Sequence, residues 1–128
     1  MMVCRHTQLY SRRARVYSLV DYPPILKRGD VLTIDTRWRG FLYAVKLPNG
    51  ELYKWLSRFE LSPIDPNRRR LQIGDFAAVI PDRQNRFRVE IGDVVQILNI
   101  VETDYYSAAL DGELFQGWLA GFELAPYL

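Results

Sequence analysis

The chain has 128 residues, 48% of them hydrophobic and 25% charged, with a formal net charge of +2, the balance of an ordinary globular protein. Its single cysteine, Cys4, excludes an intrachain disulfide framework, and with His6 as the only histidine no zinc-ligand spacing exists. No apolar run approaches the ~18 residues of a membrane helix.

The first twenty residues contain no acidic group and include Arg12, Arg13 and Arg15. That composition brushes against a transit peptide, but no apolar stretch follows and the chain runs directly into a first strand. Residues 1–14 are therefore expected to form a frayed basic segment of a soluble, cytoplasmic protein. Cys4 and His6 would need further ligands to hold a metal, and neither a metal nor a cofactor is expected.

Further along, Leu32 and Ile34 alternate with Val31 and Thr33, and Tyr43, Val45 and Leu47 alternate with Leu42, Ala44 and Lys46. This period of two predicts half-buried strands. Between them, Arg37, Trp38 and Arg39 are expected at a loop tip with Phe41 beside them. Pro48–Gly50 reads as a hairpin turn, because the primed turn types need residues that tolerate positive φ.

The same text then returns. "GELYKWLSRFELSP" (Gly50–Pro63) reappears as "GELFQGWLAGFELAP" (Gly112–Pro126), with one extra residue, Gly117. "LKRGDVLTI" (Leu26–Ile34) returns as "VEIGDVVQI" (Val89–Ile97), and "LYAVKL" (Leu42–Leu47) as "YYSAAL" (Tyr105–Leu110). A period this long marks whole domains, not a solenoid. Asp111-Gly112 supplies the second hairpin turn, and "SPIDPNRRRLQ" (Ser62–Gln72) suits an exposed linker. No window supports a long amphipathic helix.

The order of these pieces resembles Src-homology-3 (SH3) domains: a strand like "SLVDY" (Ser18–Tyr22), a long loop, the "RGDVLTI" strand, a hairpin, and a single turn in "LSRFEL" (Leu56–Leu61). The resemblance implies an all-β chain of two tandem SH3-like barrels, at 1–64 and 72–128, joined by a linker at 65–71. It also implies a single 3₁₀ turn at Ser57–Phe59 and at Ala120–Phe122. The family's polyproline groove transfers thinly. Its tyrosine positions in the first strand fall on Val20 and Tyr22, and its tryptophan position on Leu42 and Tyr105. The proline and tyrosine positions of the single turn hold Leu56 and Leu119, and Phe59 and Phe122. Proline-peptide binding of the usual kind is therefore not expected.

Function is expected in binding, not catalysis. All 17 Lys and Arg lie at or before Arg88, so residues 1–88 carry 17 basic and 8 acidic groups, and residues 89–128 carry 7 acidic and none basic. Fourteen of the 17 are arginine, which favours directional contacts with carboxylate or phosphate. The expected partner surface is Arg37, Trp38, Arg39 and Phe41, with Tyr22 and Tyr105. Trp38 has no counterpart in the second repeat, whereas Trp55 and Trp118 align and are expected to pack. The principal expectation is an adaptor-type module for a protein partner, presenting a basic first repeat and an acidic second one. It would be a monomer or weakly self-associating. Nucleic-acid binding is the alternative, with Arg12, Arg13, Arg68, Arg69 and Arg70 as phosphate contacts.

Overall fold

Alternating apolar residues and glycine turns produce an antiparallel all-β chain. In the computed structural model, residues 9–67, 70–80 and 89–127 are described. Cys4, His6, Arg68, Arg69 and the arginines at 83, 86 and 88 lie outside them. The strands are β1 (Arg15–Ser18), β2 (Val31–Lys46), β3 (Leu52–Ser57), β4 (Leu61–Pro63), β5 (Phe76–Val79), β6 (Val94–Leu110), β7 (Glu113–Leu114), β8 (Leu119–Ala120) and β9 (Leu124–Pro126). Two 3₁₀ turns, Arg58–Glu60 and Gly121–Glu123, stand one residue beyond their expected places.

The turns form where their chemistry demands. Asp111 has φ 52°, and Gly50 and Gly112 have φ 89° and 82°, all left-handed values. Gly50 closes the β2–β3 hairpin by donating to the Leu47 carbonyl at 2.9 Å. The "GD" aspartates are also accounted for locally. Asp30 accepts the Lys27 N–H at 2.8 Å, and Asp93 accepts the Glu90 N–H at 3.0 Å. Both are turn-forming side chains.

The expected loop at Arg37–Arg39 does not exist. These residues lie inside β2, which runs 16 residues without a break, and the corresponding stretch of repeat two lies inside the 17-residue β6. The physical reason is visible in "DTRWRGF" (Asp35–Phe41) and "LNIVETD" (Leu98–Asp104). Neither contains the Asn-Gly or Asp-Gly pair found at the true hairpins, and both are rich in residues that fit a pleated strand.

Because β2 and β6 pass straight on, the compact units cut across the two expected segments. Unit 1 takes residues up to Arg39 together with Asp104–Phe115 and Leu119 onward. Unit 2 takes Gly40–Thr103 with Gln116–Trp118. Each unit is thus assembled from half of either repeat.

In unit 1, β1 lies between β2 (Val16 opposite Leu32) and β9 (Val16 opposite Pro126). β7 and β8 pair with β6, Ala109 facing Leu114 and Tyr106 facing Leu119. Its core draws Tyr10, Val16, Leu26, Leu32 and Ile34 from repeat one, and Tyr106, Ala108, Phe115, Leu119 and Leu124 from repeat two.

In unit 2, β5 lies between β6 (Ala77 opposite Val95) and β4 (Ala77 opposite Pro63), and β3 pairs with β2. Its core includes Tyr43, Val45, Leu47, Leu56 and Leu61 with Val79, Val95 and Ile97. The registers of the two units match residue for residue, with Val16 standing where Ala77 stands.

The repeated Glu, Trp and Phe now have separate roles. Glu60 and Glu123 are buried, and each accepts a backbone N–H at the start of its 3₁₀ turn, from Ser57 and Ala120, both at 2.8 Å. Glu60 also accepts the indole N–H of Trp118 at 2.5 Å within unit 2. Glu123 accepts the Tyr22 hydroxyl within unit 1. Trp55 and Trp118 are buried, whereas Phe59 and Phe122, though shared, project into solvent at 69% and 42% exposure.

Two outcomes follow from this assembly. A protease site placed in the linker near Pro66 and cut under native conditions should leave two fragments that co-elute as a 1:1 complex. Separation into two independently folded pieces on size exclusion would show that each repeat closes on itself. Replacing Glu60 by Ala strands the buried Ser57 N–H and Trp118 indole, and should lower stability by about 1–3 kcal/mol in urea denaturation.

Candidate functional site

Unit 1 contains a groove whose lining belongs to repeat one and whose walls are supported from behind by Tyr106 and Ser107 of repeat two. The groove is open, of about 620 Å³, and is lined by Tyr10, Ser11 and Arg12 on one side and by Asp35, Thr36, Arg37 and Trp38 on the other. The N-terminal wall is held by backbone. Arg13 adopts φ 70° and donates its N–H to the Ile34 carbonyl at 2.8 Å. The Tyr10 N–H donates to the Tyr106 hydroxyl at 3.1 Å, and the two rings meet edge to face at 5.6 Å.

The opposite wall is a chain of polar contacts that reaches across the repeats. Trp38 donates its indole N–H to Thr36 Oγ1 at 3.1 Å, and Thr36 Oγ1 is hydrogen-bonded to Ser107 Oγ. Ser107 Oγ lies 3.1 Å from Asp35 Oδ2 and donates to it. Ser107 is fully buried, so these bonds satisfy a hydroxyl that would otherwise be costly to bury. They also fix the orientation of the Trp38 ring, which is 48% exposed.

Charge in the groove is distributed unequally. Asp35 is engaged by Ser107, whereas Arg12 and Arg37 are exposed and form no ion pair with any described residue. Arg39 is paired with Asp104 at 3.2 Å, an exposed contact that contributes little stability. The groove therefore offers two guanidinium groups beside one held aromatic face.

The remaining expected residues fall elsewhere. Tyr105 is 2% exposed and cannot meet a partner. Its place opposite Ala120 in the β6–β8 pair turns it inward. Tyr22 is half-buried, bonded to Glu123 and stacked on Phe115 at 6.2 Å. Phe41, 38% exposed, and the exposed Arg70 belong to unit 2. Arg13 is exposed in unit 1.

Tyr10, Ser11, Asp35, Thr36 and Ser107 had no local signal in the sequence. The usable signal was difference between repeats, since Leu98, Asn99, Ile100 and Val101 stand where Asp35, Thr36, Arg37 and Trp38 stand.

The exchange also rearranges charge. Unit 1 holds 8 basic and 7 acidic residues and unit 2 holds 9 and 8, a net of +1 each. The expected division into a basic and an acidic body does not survive. Asp104, Asp111, Glu113 and Glu123 of repeat two share unit 1 with the arginines up to Arg39, whereas Glu90, Asp93 and Glu102 fall in unit 2.

Burial raises the pKa of both Tyr10 and Tyr106 from 10.0, in Tyr106 against the lowering effects of the Tyr10 N–H that its hydroxyl accepts and of Arg37. A raised tyrosine pKa contributes stability that is fully present below the unfolded value and is lost as pH rises through the folded one. Thermal stability of the chain should therefore fall above about pH 10. Replacing Tyr106 by Phe should flatten that limb of the pH profile.

No family model matches the chain, and no curated protein matches it. Among solved structures it is similar to the solution structure of the ydhK C-terminal domain from Bacillus subtilis. The TM-score is 0.70 at 19% identity, over 91% of this chain and 93% of that one. A crystal structure described as a DUF1541 family protein (ydhK) from Bacillus subtilis aligns with TM-score 0.68 at 19% identity, over 92% of this chain and 84% of that one. A second crystal structure of the ydhK protein gives 0.66 at 19% identity, over 91% and 99%. The likeness is one of fold.

Proposed function

We propose that this chain is a non-catalytic binding module, built of two SH3-like barrels with exchanged halves, that captures an acidic segment of a protein partner. The observation that carries the reading is the groove of unit 1. There Arg12 and Arg37, free of ion pairs among the described residues, flank a Trp38 ring held by Thr36. Arginine presents a planar fork that matches carboxylates, and a fixed, partly exposed tryptophan is a usual centre of binding energy. Fixing the ring in advance lowers the ordering cost of association.

A catalytic role has little to rest on. No group of three or more His, Cys, Asp or Glu residues capable of holding a metal occurs among the described residues. Among the described residues no nucleophile paired with a base faces the groove, because Asp35 and Thr36 are engaged with the fully buried Ser107. The near-neutral net charge of each unit supports a protein partner over nucleic acid, which draws on an extended positive field. No helix among the described residues is long and apolar enough to cross a membrane.

A glutamate-rich peptide titrated into the chain by isothermal calorimetry tests the reading. Binding should be saturable, and Arg37→Ala and Trp38→Ala should each weaken it by roughly tenfold while leaving the fold unchanged, since both side chains are exposed. Binding unaffected by either substitution would sink the proposal. If mixed single-stranded oligonucleotides bind more tightly and lose affinity on the same substitutions, the groove serves nucleic acid instead.

A further inference from the structure

Unit 1 is made of an arm up to Arg39 and of two later stretches, Asp104–Phe115 and Leu119 onward, which meet the arm only by non-covalent contact. Its core takes five residues from the arm up to Arg39 (Tyr10, Val16, Leu26, Leu32, Ile34) and five from the segment after Asp104 (Tyr106, Ala108, Phe115, Leu119, Leu124). Neither segment has a core of its own. Unit 2, by contrast, draws its main apolar cluster from the continuous stretch Gly40–Thr103 and adds the buried Trp118.

The connection between the arm and unit 2 is a strand, not a closing loop. β2 passes from Arg39 to Gly40 in extended form, so no turn at that point folds the arm back onto its own chain. A second copy of the chain offers the arm the same Asp104–Tyr127 surface, with the same β1–β9 register of Val16 on Pro126 and Ser18 on Leu124. The arrangement inside one chain is already an exchange of half-repeats, so the same contacts can be made between two chains.

We infer that the partner of unit 1 can be a second copy of this chain: two chains trade their arms about Gly40 and form a dimer with two completed copies of unit 1. The groove lies on the travelling arm, through Tyr10–Arg12 and Asp35–Trp38, so the dimer carries two grooves. A partner with two acidic segments would then gain affinity by avidity. The closed monomer is favoured in dilute solution, because an intramolecular arm competes at an effective concentration in the millimolar range.

Complementation tests this with the full chain. Val16→Asp spoils the arm and Leu119→Asp spoils its complement, since both side chains are fully buried. Alone, each variant should lose the native unit 1. Co-refolded at high concentration, they should give a particle of twice the 15.0 kDa chain mass. A ¹⁵N-labelled Leu119→Asp chain should recover the native Trp38 indole resonance in that mixture.

Should either variant fail to fold at all, wild-type refolding decides. The dimer fraction should rise severalfold between ~10 µM and ~1 mM, the range that brackets the arm's effective concentration. Variants that fold but do not complement each other, or monomer at every wild-type refolding concentration, overturn the inference.

Discussion

Everything in this molecule depends on two strands that do not turn. Had the chain reversed at Arg37–Arg39 and again near Val101, each repeat would have closed on its own core. Instead β2 and β6 stay extended for 16 and 17 residues, and every half-repeat must find its complement in the other repeat. The cause is an absence of turn chemistry. Where the chain does reverse, at Pro48–Gly50 and Asp111–Gly112, residues in the left-handed region allow it. In "DTRWRGF" and "LNIVETD" the β-branched and aromatic side chains favour a continuing pleat.

The exchange decides where charge goes. As a linear text the chain is dipolar, with every Lys and Arg at or before Arg88 and only acidic charge after it. Crossing the halves brings Asp104 to Arg39 and Ser107 to Asp35 and Thr36, so the second repeat supports the side chains of the first. Each unit ends with the same small net charge. Arg12 and Arg37 stand out from that balance, because the strands behind them offer no carboxylate that pairs with either among the described residues.

Repetition marks more than one kind of residue. The buried pair Glu60 and Glu123 accept the orphan N–H groups at the start of each 3₁₀ turn, and Trp55 and Trp118 fill space. Phe59 and Phe122 are repeated just as faithfully, yet both face solvent. A middle residue of a one-turn helix points away from the core when the residue after it is buried as a cap. Shared identity therefore locates a common backbone, and burial must still be read position by position.

Period-two alternation, glycine turns and the internal repeat were sufficient to establish an all-β chain, the placement of the hairpins and the local role of the "GD" aspartates. These are local effects, fixed by φ preferences and by side chains bonding to a backbone within a few residues. The unmatched Trp38 was also legible, because it breaks the repeat. What the strands pair with was not legible. The registers of β1 on β9 and β5 on β4 are equivalent, so either pairing satisfies the same alternation of side chains. Only the tertiary structure, by carrying β2 and β6 straight through, chose between them. With that choice it buried Tyr105, joined Tyr10 and Arg12 to Arg37 and Trp38 in one groove, and set Ser107 beneath it.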